Sequence, residues 1–379
     1  MTKLYSGKVG LVQRVLPSYR APFFEALGGV CTGGLGLFAG QARPSESILP
    51  AHDLEGVQLT PAHNINFLHG RFYFCWQTGL LTWLKAWHPD ILIVEANPRY
   101  LSTPRALRWM HAQDKPVIGW GLGAPVQHGS LAALSTASRS RFLKQFDALI
   151  TYSQSGAEEY QALGIPAESI FIAVNAVTAR PKQAMPKRPR NFTGKPRILF
   201  VGRLQARKRI DNLLRACAAL PSALQPDLWI IGEGPAKSEF ETLAKEIYPS
   251  AQFVGAKYGQ DLAAYFEKAD LFVLPGTGGL AVQQAMSYGL PVVVAEADGT
   301  QDDLVRPQNG WQIPPHDVGA LQHTLHEALS DVSRLRKMGA ASYHIVSEDI
   351  NLENMVTVFL KAIRYVNAQA PEKLPGTGK

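Results

Sequence analysis

The stretch RILFVGRLQARKRIDNLL, residues 197–214, carries the reading of the fold. Residues 198–201 are continuously apolar, which predicts a strand covered on both faces, as in a parallel sheet between helix layers. A Gly-Arg-Leu turn ends that strand, and an amphipathic helix opens soon after it. Arg203, Arg207, Lys208 and Arg209 put four cations within seven residues at the strand's carboxyl end. Open parallel sheets bind ligands there, and cations at a helix N-terminus oppose its dipole, so an anion is the expected occupant. Arg203 and Lys208 are spaced so that one leaves the strand end and the other returns from the first helical turn, gripping a diphosphate by fork and point charge. A solvated basic helix start is the plainer alternative.

The same pattern recurs along the chain. Short apolar runs bounded by Gly, Pro, Asn or Asp occur at 8–15, 34–40, 91–96, 116–121, 148–153 and 170–176, and again at 197–204, 227–234, 251–256, 270–276 and 291–297. Helical stretches lie between many of them, so strand and helix alternate. The expected fold class is α/β, two doubly wound Rossmann-like domains facing across a cleft. The first domain is expected over 1–178 and the second over 197–352. A basic, Pro-rich linker at 179–196 joins them, a packed C-terminal helix over 353–367 returns to the first domain, and a tail covers 368–379.

Composition narrows the function classes. The chain has 379 residues, 46% hydrophobic and 18% charged, which excludes a disordered regulator. No apolar run approaches the length of a membrane-spanning helix. Three cysteines without a CxxC spacing indicate neither a disulfide framework nor a structural zinc site, and a reducing cytoplasm fits them. The opening MTKLYSGKVGLVQ lacks the apolar core and cleavage site of a signal peptide. The net charge of +7 divides into +4 over 1–180, +6 over 181–197 and −3 over the rest. No nucleic-acid reading motif accompanies it, so no nucleic-acid partner is expected. The basic junction reads as a solvated linker, with attraction to an anionic membrane surface as the alternative. The positive first half suggests peripheral attachment through Arg99, Arg105, Arg108, Lys115, Arg139, Arg141 and Lys144.

Other turns offer chemistry at strand ends. LFVLPGTGGLAVQQAMSYGLPVVV, residues 271–294, places Gly276, Thr277, Gly278 and Gly279 between a strand and a helix starting near Leu280. Glycines there let a backbone approach a ligand, and free N–H groups at the helix start favour phosphate. No dinucleotide fingerprint or P-loop is present. Gln284, one and a half turns into that helix, is placed to reach a ribose hydroxyl. Gly232, Glu233 and Gly234 follow another strand, and Phe253, Val254 and Gly255 a third, suited to backbone contacts with a flat base.

In this order, GRL with a Lys four residues on, GEGP, F-x-G, GL-x(3)-QAM-x-x-GLPVV, DGTQDDLV and NGW, the second half resembles the donor domain of a family 4 glycosyltransferase of GT-B fold. The resemblance covers roughly 197–315 and extends more weakly into 1–180 through VLPSYRAPFFEAL, FDALITYS and GIPAESIFIAVNAV. It implies that Arg203 and Lys208 hold a donor diphosphate, that Gly202, the GEGP turn and the F-x-G turn frame the nucleoside, and that the Gly-rich helix start meets sugar and phosphate. It also implies transfer from a nucleoside-diphosphate sugar with retention and without a bound metal or other cofactor. The acceptor would be a saccharide or lipid-linked, in cell-surface polysaccharide or glycolipid synthesis, on the cytoplasmic side of a membrane.

Two departures stand out. The family commonly carries a Glu pair eight residues apart where this chain has Gly276 and Gln284, and many members carry a His where Trp120 and Gly121 lie. No catalytic role is transferred to His128 or another histidine. The lost carboxylate leaves open a nucleotide-sugar-binding protein without transfer. For the acceptor, the loops after the first and third apolar runs supply Arg14, Tyr19, Arg20, Asn97 and Arg99, with Trp120 on the next strand. Glu95 is a candidate to orient an acceptor hydroxyl, against a structural role as an ion pair or cap.

Overall fold

The structure is a computed structural model that describes residues 4–43, 46, 48–68, 70, 73–125, 132–278, 280–296 and 303–369. The chain forms two compact units, Met1–Asn175 with Leu352–Lys379, and Ala176–Asn351. The first contains β1 (Val9–Gln13), α1 (Ala21–Val30), β2 (Leu35–Gly40), β3 (Val57–Phe67), β4 (Phe74–Thr78), α2 (Leu80–Trp87), β5 (Ile91–Glu95) and α3 (Thr103–His111). It continues with β6 (Val117–Gly121), α4 (Ala132–Leu143), β7 (Ala148–Thr151), α5 (Gln154–Ala162) and β8 (Ile170–Ile172). The second contains β9 (Arg197–Val201), α6 (Ile210–Ala218), β10 (Asp227–Ile231), α7 (Lys237–Ile247), β11 (Gln252–Gly255) and α8 (Gly259–Lys268). Then follow β12 (Leu271–Leu274), α9 (Leu280–Ser287), β13 (Val292–Ala295), β14 (Gly310–Ile313), α10 (Val318–Ser330) and α11 (Val332–His344), before α12 (Leu352–Gln369).

The first sheet runs β4-β3-β2-β1-β5-β6-β7-β8 and the second β11-β10-β9-β12-β13-β14. Every pairing is parallel except β3 with β4. The apolar runs take the central positions: β1, β12 and β13 are buried along their whole lengths. Burial on both faces is the reason these segments lack polar alternation. In each sheet the winding reverses once, between β1 and β5 and between β9 and β12. At such a reversal the connections leave in opposite directions, and a crevice opens at the strands' carboxyl ends.

Three strands have no counterpart in the sequence reading: β3, β4 and β14. β3, VQLTPAHNINF, is largely exposed and holds a proline and two asparagines, so it has neither a continuous apolar run nor a regular alternation. The C-terminal helix is apolar on one face because it packs in the first unit. Phe359 is fully buried there, 4.8 Å from the Phe23 ring and 4.9 Å from Trp120.

The Pro-rich segment read as a solvated linker is largely exposed, and Arg188 within it is fastened to the second unit. The Arg188 guanidinium donates to the carbonyls of Phe266 and Ala269 at the end of α8 and of Tyr288 and Gly289 after α9. It thereby caps two helix C-termini, whose last carbonyls lack intrahelical partners. Burial, with repulsion from Arg336, pushes its pKa down to about 10. Arg336 holds the same segment through the Pro189 carbonyl and is itself paired with Asp270 at 2.7 Å. Lys115, one of the proposed membrane-facing cations, is only 7% exposed and donates to the Pro89 carbonyl at 2.6 Å, so it is not part of a docking surface.

Arg188→Met should strip four carbonyls of their donor and lower the second unit's stability by on the order of 3 kcal/mol. Urea unfolding followed by circular dichroism measures this. Little change would mean that the segment is a passive connector.

Candidate functional site

In the second unit, the turn after β9 and the turn after β12 meet at the strand reversal. Arg207 Nη1 donates to Thr277 Oγ1 at 2.9 Å, and Lys208 Nζ donates to the Thr277 carbonyl at 2.5 Å. Burial, reinforced by the Arg207 charge, pushes the Lys208 ammonium down to about 8. Arg203 stands exposed on the same turn. Arg209 does something else: it takes left-handed backbone, φ 54°, and its guanidinium is held by Asp211 and Asn212 at 2.8 Å each. Of the four cations read as one cluster, Arg209 is therefore the pivot that starts α6.

The three glycine-containing turns lie side by side. Gly202 N–H donates to the Ile231 carbonyl, Leu204 N–H to the Glu233 carbonyl, and Gly232 N–H to the Gly255 carbonyl. Gly232 has φ 143°, and a Cβ there would fall 1.9 Å from the Gly202 carbonyl oxygen, so only glycine fits. Glu233 is paired with Lys237 at 2.8 Å. Phe253 and Val254 are half-buried at the end of β11. Gly276 is buried, and a Cβ there would lie 2.2 Å from the Arg207 carbonyl oxygen and 2.6 Å from the Lys208 carbonyl carbon. This packing gives a physical reason for a glycine at 276: the basic turn sits against its Cα. Gly278, φ 140°, leaves room for Lys208 Nζ, which an added Cβ would meet at 2.3 Å. Gly279 lies outside the described residues. Leu280 starts α9, and Gln284 is half-buried on it, while its neighbour Gln283 is buried and binds the Val177 N–H and the Ile350 carbonyl.

In the first unit, the reversal between β1 and β5 gathers a second set. Arg14 N–H donates to Glu95 Oε2 at 3.1 Å, while its guanidinium takes both oxygens of Glu46 at 3.0 Å. Arg43 joins Glu46 at 2.9 Å. Against the upward push of burial, these two arginines pull the Glu46 carboxyl down to about 2. Burial pushes the Glu95 carboxyl up to about 7, despite the Arg14 N–H and charge and the Tyr100 hydroxyl, which favour its ionised form. Arg20, 8% exposed, donates to the Tyr152 hydroxyl at 3.3 Å and lies 5.4 Å from the Trp120 ring and 5.3 Å from that of Tyr152. Trp120 is 2% exposed and packed by Phe23, Phe24 and Phe359, so it supports Arg20 from beneath and offers no face to a ligand. Asn97 Oδ1 accepts from the Arg99 N–H and shapes the loop after β5, with Arg99 exposed. Tyr19, 46% exposed, lies beside Arg20.

Lys208, Thr277 and Gly278 thus meet at the carboxyl ends of β9 and β12, with Arg203 on the same turn as Lys208, and Arg14 meets Glu95 at the carboxyl ends of β1 and β5, with Arg20 on the helix-bearing loop that follows β1. Sequence reasoning missed Arg207 as a partner of Thr277, and Glu46, Tyr100 and Tyr152 as neighbours of Arg14, Glu95 and Arg20. A short spacing signal existed only for Arg207, next to Lys208.

Residues 181–345 match the family described as Glycosyl transferases group 1. The chain is 26% identical over 307 residues to the glycogen synthase of Mycobacterium tuberculosis, covering 77% of this chain and 72% of that protein. Over 147 residues it is 33% identical to a GDP-mannose-dependent alpha-mannosyltransferase of the same organism, covering 38% of this chain and 36% of that protein. Among solved structures, the lipopolysaccharide outer core galactosyltransferase WaaB, apo form, shares the fold with a TM-score of 0.69 and 17% identity, covering 94% of this chain and 99% of that one. The architecture is the GT-B fold, and the class these likenesses define is a glycosyltransferase.

Gly276→Ala should force the Arg207–Lys208 turn away and lower stability by about 1–3 kcal/mol, read by thermal unfolding; an unchanged midpoint would refute the close packing. Glu95 makes a second prediction. Its folded pKa of about 7 lies above the ordinary 4.5, so between those values the folded state binds the extra proton and stability falls as pH rises. Glu95→Gln should remove that decline and leave the protein more stable than wild type above pH 7, as measured by unfolding midpoints across the window.

Proposed function

We propose that the protein is a retaining family 4 glycosyltransferase that moves a hexosyl group from a nucleoside-diphosphate sugar to a saccharide or lipid-linked acceptor, in cell-surface polysaccharide or glycolipid synthesis. The observation that carries this reading is the pair of turns at the β9/β12 reversal, where Lys208 and Arg207 are fixed by Thr277 beside the exposed Arg203. Cleaving the bond between a sugar and a diphosphate leaves negative charge on the phosphate and positive character at the anomeric carbon. Cations oriented before the reaction stabilise that separation without reorganising during it. In this reading Arg203 and Lys208 neutralise the leaving group, the turns 202–204, 232–234 and 253–255 frame the nucleoside, and Thr277, Gly278 and Gln284 face sugar and ribose. The reading gives charge neutralisation to side chains and calls for no metal. The mannosyltransferase relative is named for a GDP-sugar donor, which supports a nucleotide sugar here without choosing the base.

The first unit takes the acceptor. Glu95, its pKa raised by burial against the opposing pull of the Arg14 N–H, orients an acceptor hydroxyl; Arg14, Arg20, Asn97, Arg99 and Tyr19 surround it. Trp120 drops out as a contact residue and remains as the support of Arg20. One observation favours a second reading: the buried Gly276 has no room for the carboxylate common in the resembling family, which fits a protein that binds the nucleotide sugar without transferring it.

Incubation with labelled nucleotide sugars and acceptors separates the two: transfer supports the first, and binding with no transfer or hydrolysis supports the second. Arg203→Ala and Lys208→Ala should each lower kcat/KM about a hundredfold or more. Because Lys208 must carry its proton to meet a diphosphate and its pKa is about 8, kcat/KM should fall as pH rises through that value. A flat profile to pH 9.5, or full activity in both alanine variants, would remove Lys208 and Arg203 from the mechanism.

A further inference from the structure

β3 and β4 form the antiparallel hairpin at one edge of the first sheet. Their register pairs His63 with Thr78, Ile65 with Trp76 and Phe67 with Phe74, and side-chain alternation puts these six residues on one face. The opposite face is the inner one: the Asn64 and Gln77 amides donate to the carbonyls of Arg14 and Gln13, so it backs the candidate acceptor cluster. Among the described residues the outer face has no comparable cover. Ile65 is 39% exposed, Phe67 45% and Phe74 36%, with Leu68 at the hairpin's end 62%. His63 and Thr78 carry this surface on into a groove of about 510 Å³ beside α2, walled by Phe38, Trp83 and Trp87. A contiguous apolar patch of this kind marks an interaction site rather than a scattered surface residue.

Charge says what covers it. Residues 56–89 contain no Asp or Glu. The loop after β5 runs beside β4, with the Cys75 N–H bonded to the Arg99 carbonyl and the Leu101 N–H to the Cys75 carbonyl. It brings the exposed Arg99 and the 40% exposed Leu101 to the hairpin's edge. Arg105 lies 4.3 Å from the Trp76 ring centre. An aromatic and aliphatic face on an acid-free stretch, with Arg99 and Arg105 at its border, suits the interfacial layer of an anionic bilayer, where rings enter the acyl boundary and guanidinium groups meet phosphates. A second copy seated face to face would oppose the same cations to each other.

We propose that the outer face of the β3–β4 hairpin is the surface by which the protein lies on an anionic lipid bilayer, with Phe67 and Phe74 among the acyl chains and Arg99 and Arg105 at the headgroups. The inference extends the lipid-linked branch of the function proposed above. A hairpin wetted by lipid on its outer face presents Arg14 and its neighbours one strand's thickness from the membrane, within reach of an acceptor anchored there.

The test is cosedimentation of the full chain with vesicles of mixed phosphatidylcholine and phosphatidylglycerol. Wild type should pellet at low salt and be released as salt rises. Phe67→Ser combined with Phe74→Ser should lower the partition coefficient at least about tenfold, with unchanged thermal unfolding and unchanged nucleotide binding in the second unit. Arg105→Glu should weaken binding and flatten its salt dependence. Brominated lipids should quench tryptophan fluorescence, less so in Trp76→Phe. The idea is overturned by wild type that stays in the supernatant at low salt, or by a serine variant that binds like wild type. It is equally overturned by ultracentrifugation showing self-association that the serine variant abolishes, which would make the face a protein interface. Lys208→Ala should pellet normally, so a failed transferase assay and a failed membrane assay remain separate results.

Discussion

The reversal of winding in each sheet is the constraint on which the candidate sites depend. Between β9 and β12, and between β1 and β5, neighbouring strands send their connections in opposite directions, and no following helix covers both carboxyl ends. Whatever side chains the chain places just after those strands are held beside one another without closing over each other. Arg207 and Lys208 after β9 meet Thr277 after β12 for that reason, and Arg14 after β1 meets Glu95 at the end of β5 for the same one. A different strand order would separate these pairs by at least one strand spacing, about 5 Å, and break each contact.

Much of this architecture is legible in the sequence because parallel strands buried on both faces cannot hide their composition. The segments around Leu11, Ile93, Leu199 and Val293 are apolar at successive positions, and each is a central strand. The hairpin β3–β4 is not legible, since an edge pair needs no continuous apolar run; Pro61, Asn64 and Asn66 interrupt the one it has. Arg188 shows a different limit. In the chain it is one more cation in a Pro-rich stretch, and only the fold brings four carbonyls from two helix ends to it. The side chain is half-buried there, within a segment that is otherwise largely exposed, as its composition suggested.

The site is legible to the same depth. Lys208 and the glycines at 276–278 announce themselves by their place after predicted strands, and their contacts lie where that placement requires. Arg209 is indistinguishable from Arg207 by spacing; its left-handed backbone turns the side chain toward Asp211 and Asn212 instead. Gln283 and Gln284 are likewise adjacent and chemically identical, yet one is buried in hydrogen bonds to the chain and the other half-buried on the helix, because helical rotation separates consecutive side chains. The position of Trp120 at a strand end suggested a contact residue, but the rings of Phe23, Phe24 and Phe359 close over it.

Burial acts on the two sites with opposite sign and one result. Desolvation penalises whichever form is charged, so it raises the Glu95 carboxyl to about 7 and lowers the Lys208 ammonium to about 8. Among the described residues neither group has the ion pair that would restore its ordinary value, in contrast to Glu46, which its two arginines hold ionised. A fold selected only for stability would pair or expose such groups. In the function proposed above, the donor and the acceptor supply the counterparts of these two groups. An anion beside Lys208 would return its pKa toward the usual value, and a donor beside Glu95 would do the same for the carboxyl. In that reading, ligation restores favourable interactions at the atoms where charge must be held during transfer.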